Sequence, residues 1–319
     1  MLILLAARAH AGEATLHQIA TIPLEDVKGR IDHMAIDPTG KRLFVAALGN
    51  NSVEIVDLAA GKVVKRLTGM QEPQGVAYVP ETETLVVASG GDGKVRFYDG
   101  KSYELKATAD DLDDADNVRR DAEGKRFYVG YGSGVVACFE REKLTDRIKL
   151  AGHPESFQLE STGARIFVNV PSARVIQVVD REKKAVVAQW PVTDAEANFP
   201  MALDEPRHRL LVACRKPAKL IAFETECGTP VGSAEIAGDA DDVWLDAADH
   251  TIYVTGGEGF VSVIEQRDGD HYVTIAKIPT APGARTSFFD RDARRLYVAV
   301  PHRDEQRCEI RVFDPQPNP

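Results

Sequence analysis

The chain has 319 residues, of which 44% are hydrophobic and 28% are charged. This balance is typical of a globular protein with a buried core, and the length suits one large domain or two ordinary ones. The formal net charge of -10 argues against a protein that binds the phosphate backbone of nucleic acids, because such binding depends on clustered lysine and arginine. We therefore expect no nucleic-acid partner.

The N-terminal segment resembles the end of a secretory signal peptide. Residues 2–7 are a short apolar run, and Ala9, His10 and Ala11 have the small-x-small pattern of a cleavage site, although no basic segment precedes them. An ordinary apolar N-terminal strand is the alternative. We predict that residues 1–11 are a signal-peptide remnant, that residues 12–319 form a single domain, and that the mature protein is periplasmic or secreted. No run approaches the roughly 18 apolar residues that span a bilayer, so we expect no membrane span.

Seven apolar segments of similar sequence follow one another along the chain, as in KRLFVAAL, ETLVVASG and RRLYVAVP. Their central valines are Val45, Val87, Val129, Val168, Val212, Val254 and Val298. The differences between successive numbers are 42, 42, 39, 44, 42 and 44, which is the period of a four-stranded propeller blade and not of a helical repeat. The sequence therefore predicts an all-β protein, a seven-bladed β-propeller.

Each repeat has the pattern of a four-stranded antiparallel sheet. A turn rich in Asp, Pro and Gly, such as residues 37–40, precedes the apolar second strand, and a short loop leads to a third strand with alternating apolar and polar residues. The fourth strand is more polar, as an edge strand can be. The seventh repeat ends after its third strand, whereas residues 15–24 have the pattern of a fourth strand without companions. We therefore predict that this N-terminal strand completes the last blade and closes the ring.

Four cysteines, Cys138, Cys214, Cys227 and Cys308, are scattered without the CxxC or CxxCH spacing of metal and haem sites. This excludes a covalently attached c-type haem and a cysteine-based zinc module. Cys138 and Cys214 lie in apolar strand patterns and are expected in the core. Cys227 and Cys308 lie in predicted loops, where they are either exposed thiols or a single disulfide.

The second strands carry the segments Tyr253-Val254-Thr255-Gly256, FVAA, FVNV and YVAV, and neither Gly-His nor Trp-Asp recurs as in WD40 repeats. In these segments the chain resembles the YVTN family of bacterial and archaeal seven-bladed propellers, which includes the periplasmic YncE-like proteins. The resemblance covers about residues 30–315 and implies the same fold. Propellers of this shape include binding proteins, structural surface proteins, lactonases and lyases, so the fold does not choose a function.

Polar residues precede the first strand of every repeat, and a propeller brings these positions together at one mouth of its central channel. The set that we expect to bind a ligand there is Asp32, His33, Gln74, Asp116, Asn117, Glu155, Asn198, Asp241, Asp242 and Arg285. The structural alternative is that these groups hydrogen-bond neighbouring backbone and channel water without any ligand. The functional interpretation is a site for a small polar ligand or a protein partner.

The crowded carboxylates at the mouth are the candidate metal ligands. They are Asp32, Asp116, Glu155 and Asp241, and their oxygen atoms suit Ca²⁺ or Mg²⁺. Without a metal, we expect one of these carboxyl groups to hold its proton.

Catalysis at the same mouth is the second hypothesis. His33 could act as a general base, with His153 and His302 as less favoured candidates, and Arg285 could hold a carboxylate or an oxyanion. A metal-assisted lyase or lactonase would use such groups. We favour a monomeric binding and interaction module, and leave open whether it is an enzyme.

Overall fold

The computed structural model describes residues 14–268 and 270–317. The predicted signal-peptide remnant, residues 1–11, lies outside the described residues. The seven predicted blades are present in the described part of the chain, each a four-stranded antiparallel sheet, so the predicted all-β propeller is confirmed.

The first six blades each use four consecutive strands, numbered from the inside of the ring outwards. Blade 1 contains β2 (Met34–Ile36), β3 (Arg42–Ala47), β4 (Ser52–Asp57) and β5 (Lys62–Leu67). Blade 2 contains β6 (Pro73–Val79), β7 (Thr84–Ser89), β8 (Lys94–Asp99) and β9 (Leu105–Ala109). Blade 3 contains β10 (Val118–Arg120), β11 (Arg126–Tyr131), β12 (Val135–Glu140) and β13 (Lys143–Lys149).

The other half of the ring repeats this order. Blade 4 contains β14 (Phe157–Leu159), β15 (Arg165–Val170), β16 (Val175–Asp180) and β17 (Ala185–Pro191). Blade 5 contains β18 (Glu196–Asp204), β19 (Arg209–Lys216), β20 (Ala218–Glu224) and β21 (Pro230–Glu235). Blade 6 contains β22 (Ala240–Asp246), β23 (Thr251–Gly256), β24 (Phe260–Asp268) and β25 (His271–Pro279). Blade 7 contains β26 (Thr286–Asp290), β27 (Arg295–Val300), β28 (Glu309–Pro317) and β1 (Ala14–Pro23).

Helix is confined to four 3₁₀ turns in the described residues: Leu48–Asn50, Pro80–Thr82, Pro171–Ala173 and Glu205–Arg207. Within this part of the chain, no helix has the length and apolar character needed to cross a membrane.

The hydrophobic core lies between the blades. Each of the seven repeat valines is 0% exposed and pairs with a residue of the innermost strand, as Val45 does with Met34. The buried side chains form seven clusters, and each cluster is shared by two neighbouring blades. Burial of apolar surface therefore stabilises the blade-to-blade interfaces around the whole ring, including the interface between blades 7 and 1.

The N-terminal strand β1 closes the ring, as predicted. It pairs antiparallel with β28, from Ala14 opposite Pro317 to Pro23 opposite Glu309. Leu16 packs into the cluster between blades 6 and 7, whereas Ile22 packs into the cluster between blades 7 and 1. Residues 16 and 22 would share one face of a regular strand, because side chains alternate with a period of two. A bulge at Ile19 moves them to opposite faces.

The same bulge occurs where the third and fourth strands pair in every blade. The residues skipped by the pairing are Ile19, Val64, Lys106, Thr145, Val187, Val231 and Ile275. A bulge increases the twist of the strand and interrupts the edge that another chain could pair with. Its presence in β1 at the equivalent place identifies this strand as the fourth strand of blade 7.

Polar side chains of the third strands anchor the connectors that enter the next blade. In three blades the residue opposite the repeat valine bonds to the connector backbone: Gln177 Oε1 accepts from Ala151 N at 2.9 Å, Ser262 Oγ accepts from Ala237 N at 2.8 Å, and Arg311 Nη1 donates to Thr280 O at 2.8 Å. These bonds fix the connectors just before the innermost strands begin. They therefore help to position the residues of the channel mouth.

All four cysteines are free thiols. Cys138 and Cys214 are buried in the core as expected, and Cys227 is exposed. Cys308 differs from the expectation of an exposed loop position, since it packs into the cluster between blades 7 and 1 and is 5% exposed. Its carbonyl accepts a hydrogen bond from Leu24 N at 3.0 Å, which ties the connector after β1 to the last blade.

Candidate functional site

The candidate site is the end of the central channel where the innermost strands begin, which we call the mouth. In blade 1, Asp32 N donates to Ala46 O at 2.8 Å and Ala46 N donates to His33 O at 3.0 Å. Blades 3 and 4 repeat this pair of bonds with Asp116, Gly130 and Asn117, and with Glu155, Asn169 and Ser156. Because the backbone is held in the same way, Asp32, Asp116 and Glu155 occupy equivalent positions of their blades.

The mouth brings Asp32, His33 and Asp116 together. His33 Nε2 lies 3.3 Å from Asp116 Oδ1 and 3.9 Å from Asp32 Oδ1. Burial of the ring opposes its charged form, but the carboxylates of Asp116, Asp32 and Asp242 outweigh it and raise the pKa of His33 to about 9. The imidazole is therefore protonated at neutral pH and joins two carboxylates of different blades.

Asp32 is balanced by a second cation. Arg30 Nη2 donates to its Oδ2 atom at 2.6 Å. The Asp32 residue is only 3% exposed, and burial raises the pKa of its carboxyl to about 6 although His33 and Arg30 favour the charged form. By contrast, Asp116 Oδ1 is a buried atom whose partner in the described residues is the charged imidazole of His33, at 3.3 Å and outside good hydrogen-bond geometry.

Asp242 lies deeper and is held by blade 7. Its Oδ2 atom accepts from Ser287 N at 2.7 Å. Burial raises the pKa of the Asp242 carboxyl to about 7, although His33 and the Ser287 N–H favour its charged form. The Ser287 hydroxyl accepts from Trp244 Nε1 at 3.1 Å and from Thr255 Oγ1 at 2.7 Å, so Asp242 belongs to a network that joins blades 6 and 7.

Glu155 is a carboxyl group of the mouth that lacks both an ion pair and a hydrogen-bond donor to its side chain among the described residues. Within the part of the chain that the structure describes, no lysine, arginine or histidine nitrogen lies within 4.0 Å of its oxygens. Burial raises the pKa of Glu155 to about 7, and the charge of Asp116 adds to this effect. Asn117 holds the backbone beneath it, because its Nδ2 donates to Glu155 O at 2.6 Å.

Asp241 is enclosed by two arginines. Arg215 Nη2 donates to Asp241 Oδ1 at 2.5 Å, and Arg285 Nε lies 3.1 Å from Asp241 Oδ2. Both arginines also pair with Asp239, at 3.4 Å and 3.2 Å. Arg215 stacks over Phe199, with its Cζ atom 3.9 Å from the ring centroid. Arg285, proposed from sequence to hold a substrate anion, is therefore already engaged by two carboxylates.

Gln74 and Asn198, both expected to face a ligand at the mouth, hydrogen-bond to other parts of the protein. Gln74 Nε2 donates to Asp114 Oδ1 at 3.1 Å, and the Gln74 carbonyl accepts from His33 N at 3.2 Å. Asn198 is 0% exposed, and its Nδ2 donates to Asn169 Oδ1 at 2.9 Å and to Val175 O at 3.1 Å. Asn198 therefore joins blades 4 and 5 inside the protein and does not face an open mouth.

The other two histidines proposed as bases lie apart from the cluster. His153 Nδ1 is 2.6 Å from Gly132 O and 3.4 Å from Asp114 Oδ2, so its ring is held by blade 3. His302 is exposed in the loop between β27 and β28. Neither joins the group formed by Asp32, His33 and Asp116.

The candidate metal ligands do not form one cluster. Asp32, His33 and Asp116 each offer a ligand atom, and these atoms lie within 4.8 Å of one another. Glu155 and Asp241 do not belong to this group. The imidazole nitrogen of this group would suit Zn²⁺, whereas its carboxylate oxygens would suit Mn²⁺ or the Ca²⁺ or Mg²⁺ expected from sequence.

Arg119 and Phe199 contribute to the channel and its mouth although neither was predicted from the sequence. Phe199 lies in β18, 13 residues before the repeat valine Val212, which is the spacing of Asp32 from Val45; Phe199 and not Asn198 therefore occupies the equivalent position of blade 5. Arg119 is the middle residue of β10 and lines the channel. Aligning the innermost strands would have shown it as the one arginine at a position where the other blades have Ala35, Ala77, Gln158, Ala202, Trp244 and Phe288.

No family model matches the chain. An uncharacterised WD repeat-containing protein of Synechocystis is 34% identical over 99 residues, which are 30% of this chain and 28% of the length of that relative. Sequence likeness to a WD-repeat protein is therefore limited to under a third of either chain.

Solved structures are similar over nearly the whole chain. The RRP9 WD40 repeats have a TM-score of 0.81 at 9% identity and cover 94% of this chain and 98% of that chain. The U3-55K structure has a TM-score of 0.81 at 9% identity, with 93% and 98% covered. Hydrazine synthase of Kuenenia stuttgartiensis has a TM-score of 0.73 at 16% identity, with 86% and 95% covered. The protein thus has the seven-bladed WD40-type propeller fold, although its repeats lack recurrent Gly-His and Trp-Asp pairs.

Proposed function

We propose that this protein is an exported propeller of the YVTN type that acts as a binding module, and that a small polar ligand with a positive charge binds at the mouth. The observation that supports this proposal is the carboxyl group of Glu155, which lies near Asp116 and has no cation within ion-pair distance in the described residues. Export rests on the sequence pattern of residues 1–11. WD40-type propellers commonly serve as interaction modules, which agrees with a binding role.

The charges of the mouth favour a cationic group. Asp32 pairs with Arg30, and Asp241 pairs with Arg215 and Arg285. Glu155 has no such partner, and its raised pKa of about 7 reflects the cost of charging this partly buried carboxyl group without a nearby cation. An ammonium or guanidinium group of a ligand, or a basic side chain of a partner protein, would supply the missing charge and hydrogen-bond donors.

Thermal-shift and calorimetric titrations with choline, putrescine and an arginine ester test this proposal. We expect at least one probe to raise the melting temperature of the unaltered protein, and Glu155→Gln to abolish that shift. Glu142→Gln is the matched control, because Glu142 is exposed on the turn between β12 and β13, away from the mouth. The proposal fails if no cationic probe binds, or if Glu155→Gln and Glu142→Gln behave alike.

A metal-assisted lyase or lactonase is the second candidate, favoured by the grouping of Asp32, His33 and Asp116. A metal there would have to displace the proton that the surrounding carboxylates hold on His33. The same proton makes His33 a poor general base at neutral pH. Metal analysis of the purified protein, with melting curves in Zn²⁺, Mn²⁺ and chelator, separates the two candidates. The enzyme would be favoured if the protein holds one metal ion per chain and if His33→Ala loses both this ion and the hydrolysis or elimination of a lactone substrate.

A further inference from the structure

The central channel contains a cavity distinct from the mouth cluster. Its volume is about 470 Å³, and its walls come from the innermost strands of all seven blades. The cavity reaches the surface at the turns that follow these strands, where the exposed residues Pro38 and Arg291 line it. Asp32, His33 and Asp116 are not among the lining residues. The volume lies within the range of about 300–1,000 Å³ found for small-molecule sites.

Arg119 is an arginine of this cavity wall without a carboxylate partner. In the described part of the chain no acidic oxygen lies within ion-pair distance of its guanidinium, and its Nη1 donates to the carbonyl of its own neighbour Val118 at 3.0 Å. Burial lowers the pKa of Arg119, although the more distant charges of Asp242 and Asp116 oppose this. Asp242 is itself engaged by Ser287 N, so the guanidinium keeps donors for another acceptor.

The wall opposite Arg119 is aromatic. The innermost strands contact one another in blade order around the ring, so blade 3 faces the boundary between blades 6 and 7. At the position equivalent to Arg119, these two blades carry Trp244 and Phe288, whose rings pack edge to face with centroids 5.1 Å apart. Trp244 is fixed by the hydrogen bond from its Nε1 to Ser287 Oγ.

Alanines at the equivalent position of three other blades leave room between these walls. They are Ala35, Ala77 and Ala202. Gln158, the remaining member of the set, is held by a hydrogen bond from its Nε2 to Met201 O at 2.9 Å. The cavity therefore combines an arginine without a carboxylate partner, whose Cζ lies 6.0 Å from the ring centroid of Phe157, with an aromatic wall and small side chains. The other charged residues of the lining are Arg120, Asp242, Asp290, Arg291 and Asp292.

We propose that the channel cavity is a second binding site, for a small aromatic carboxylate whose anionic group pairs with Arg119 and whose ring packs against Trp244 and Phe288. A guanidinium binds a carboxylate through two parallel hydrogen bonds, and the partial burial of Arg119 limits the competition from water. Aromatic contact and apolar burial supply the rest of the affinity. The site does not depend on the cation proposed for the mouth, because the two use different residues.

Tryptophan fluorescence gives a direct test, because the chain has two tryptophans and Trp190 lies in the core between blades 4 and 5. In Trp190→Phe, the remaining signal comes from the cavity wall. We expect 2-naphthoate, and more weakly benzoate, to change this signal in a saturable way. The corresponding neutral amides should bind at least tenfold more weakly, since they cannot form the charged pair.

Variants then assign the binding to the guanidinium. Arg119→Gln in the Trp190→Phe background should weaken 2-naphthoate binding at least tenfold. The affinity of Arg119→Lys should lie between those of Arg119→Gln and of the protein that keeps Arg119. Arg126→Gln is the matched control, because Arg126 lies in the adjacent strand of the same blade and pairs with Glu140. Circular dichroism checks that each variant is folded. The proposal is overturned if no aromatic carboxylate binds, if the amides bind equally well, or if folded Arg119→Gln binds like the control.

Discussion

Ring closure by β1 predicts a large difference between two isoleucines of the same strand. Ile22 is 3% exposed in the cluster between blades 7 and 1, whereas Ile19 occupies the bulge and is 48% exposed. Shortening a buried isoleucine to alanine costs about 2–5 kcal/mol, because apolar contacts are lost and a cavity remains. The same change at an exposed site costs within about 0.5 kcal/mol.

For a chain of this size, a loss of 1 kcal/mol in the free energy of unfolding lowers the melting temperature by just under ~2 °C. Ile22→Ala should therefore lower the melting temperature by about 3–8 °C, and Ile19→Ala by less than about 1 °C. Urea unfolding followed by circular dichroism gives the free energies, and calorimetry gives the melting temperatures. Equal effects of Ile19→Ala and Ile22→Ala, or no effect of either, would show that β1 does not close the ring as described.

Three further predictions concern other parts of the fold. Glu205 accepts four hydrogen bonds from residues 161–162, and these outweigh its burial and lower its pKa to about 2. The stability that the Glu205 carboxylate contributes is therefore present above pH 4.5 and is lost as the pH falls towards 2. In urea unfolding, the stability deficit of Glu205→Gln should be smaller at pH 3.5 than at pH 7. A Cβ atom on Gly75 would lie 2.0 Å from Asp116 O, so Gly75→Ala should lower the melting temperature by several degrees, and an unchanged value would contradict this packing. Of the four thiols only Cys227 is exposed, so a thiol reagent should modify one cysteine in the native protein and four in denaturant, and Cys227→Ser should remove the native reaction.

The fold could be predicted from the sequence because its signals repeat. The seven valines mark the most buried strand of each blade, and a buried apolar strand tolerates few residue types. The N-terminal strand was recognisable because the seventh repeat lacked a fourth strand. The bulges were not predictable, since Ile19, Lys106 and Thr145 share a backbone position without sharing a side-chain type.

The site could be predicted only as a set of positions. The equivalence of Asp32, Asp116 and Glu155 followed from the repeat alignment, but their partners come from different blades and depend on side-chain directions that spacing does not give. Asn198 was placed at the mouth although it lies 14 residues before Val212; the spacing of 13 residues found in the other blades identifies Phe199 as the equivalent residue. Arg119 was not predicted because it lies within an innermost strand, whereas the predicted site residues precede or begin these strands.

The pairing of β1 with β28 also determines when folding of the last blade can be completed during synthesis. Ala14 pairs with Pro317, so β1 finds its partner only after about 300 further residues have been synthesised. At translation rates of about 5–20 residues per second, β1 waits roughly 15–60 s with its aliphatic residues unpaired. The contact has a very large sequence separation, which makes it slow to form by chain diffusion. The bulge at Ile19 and the proline that ends β1 limit incorrect pairing during this interval.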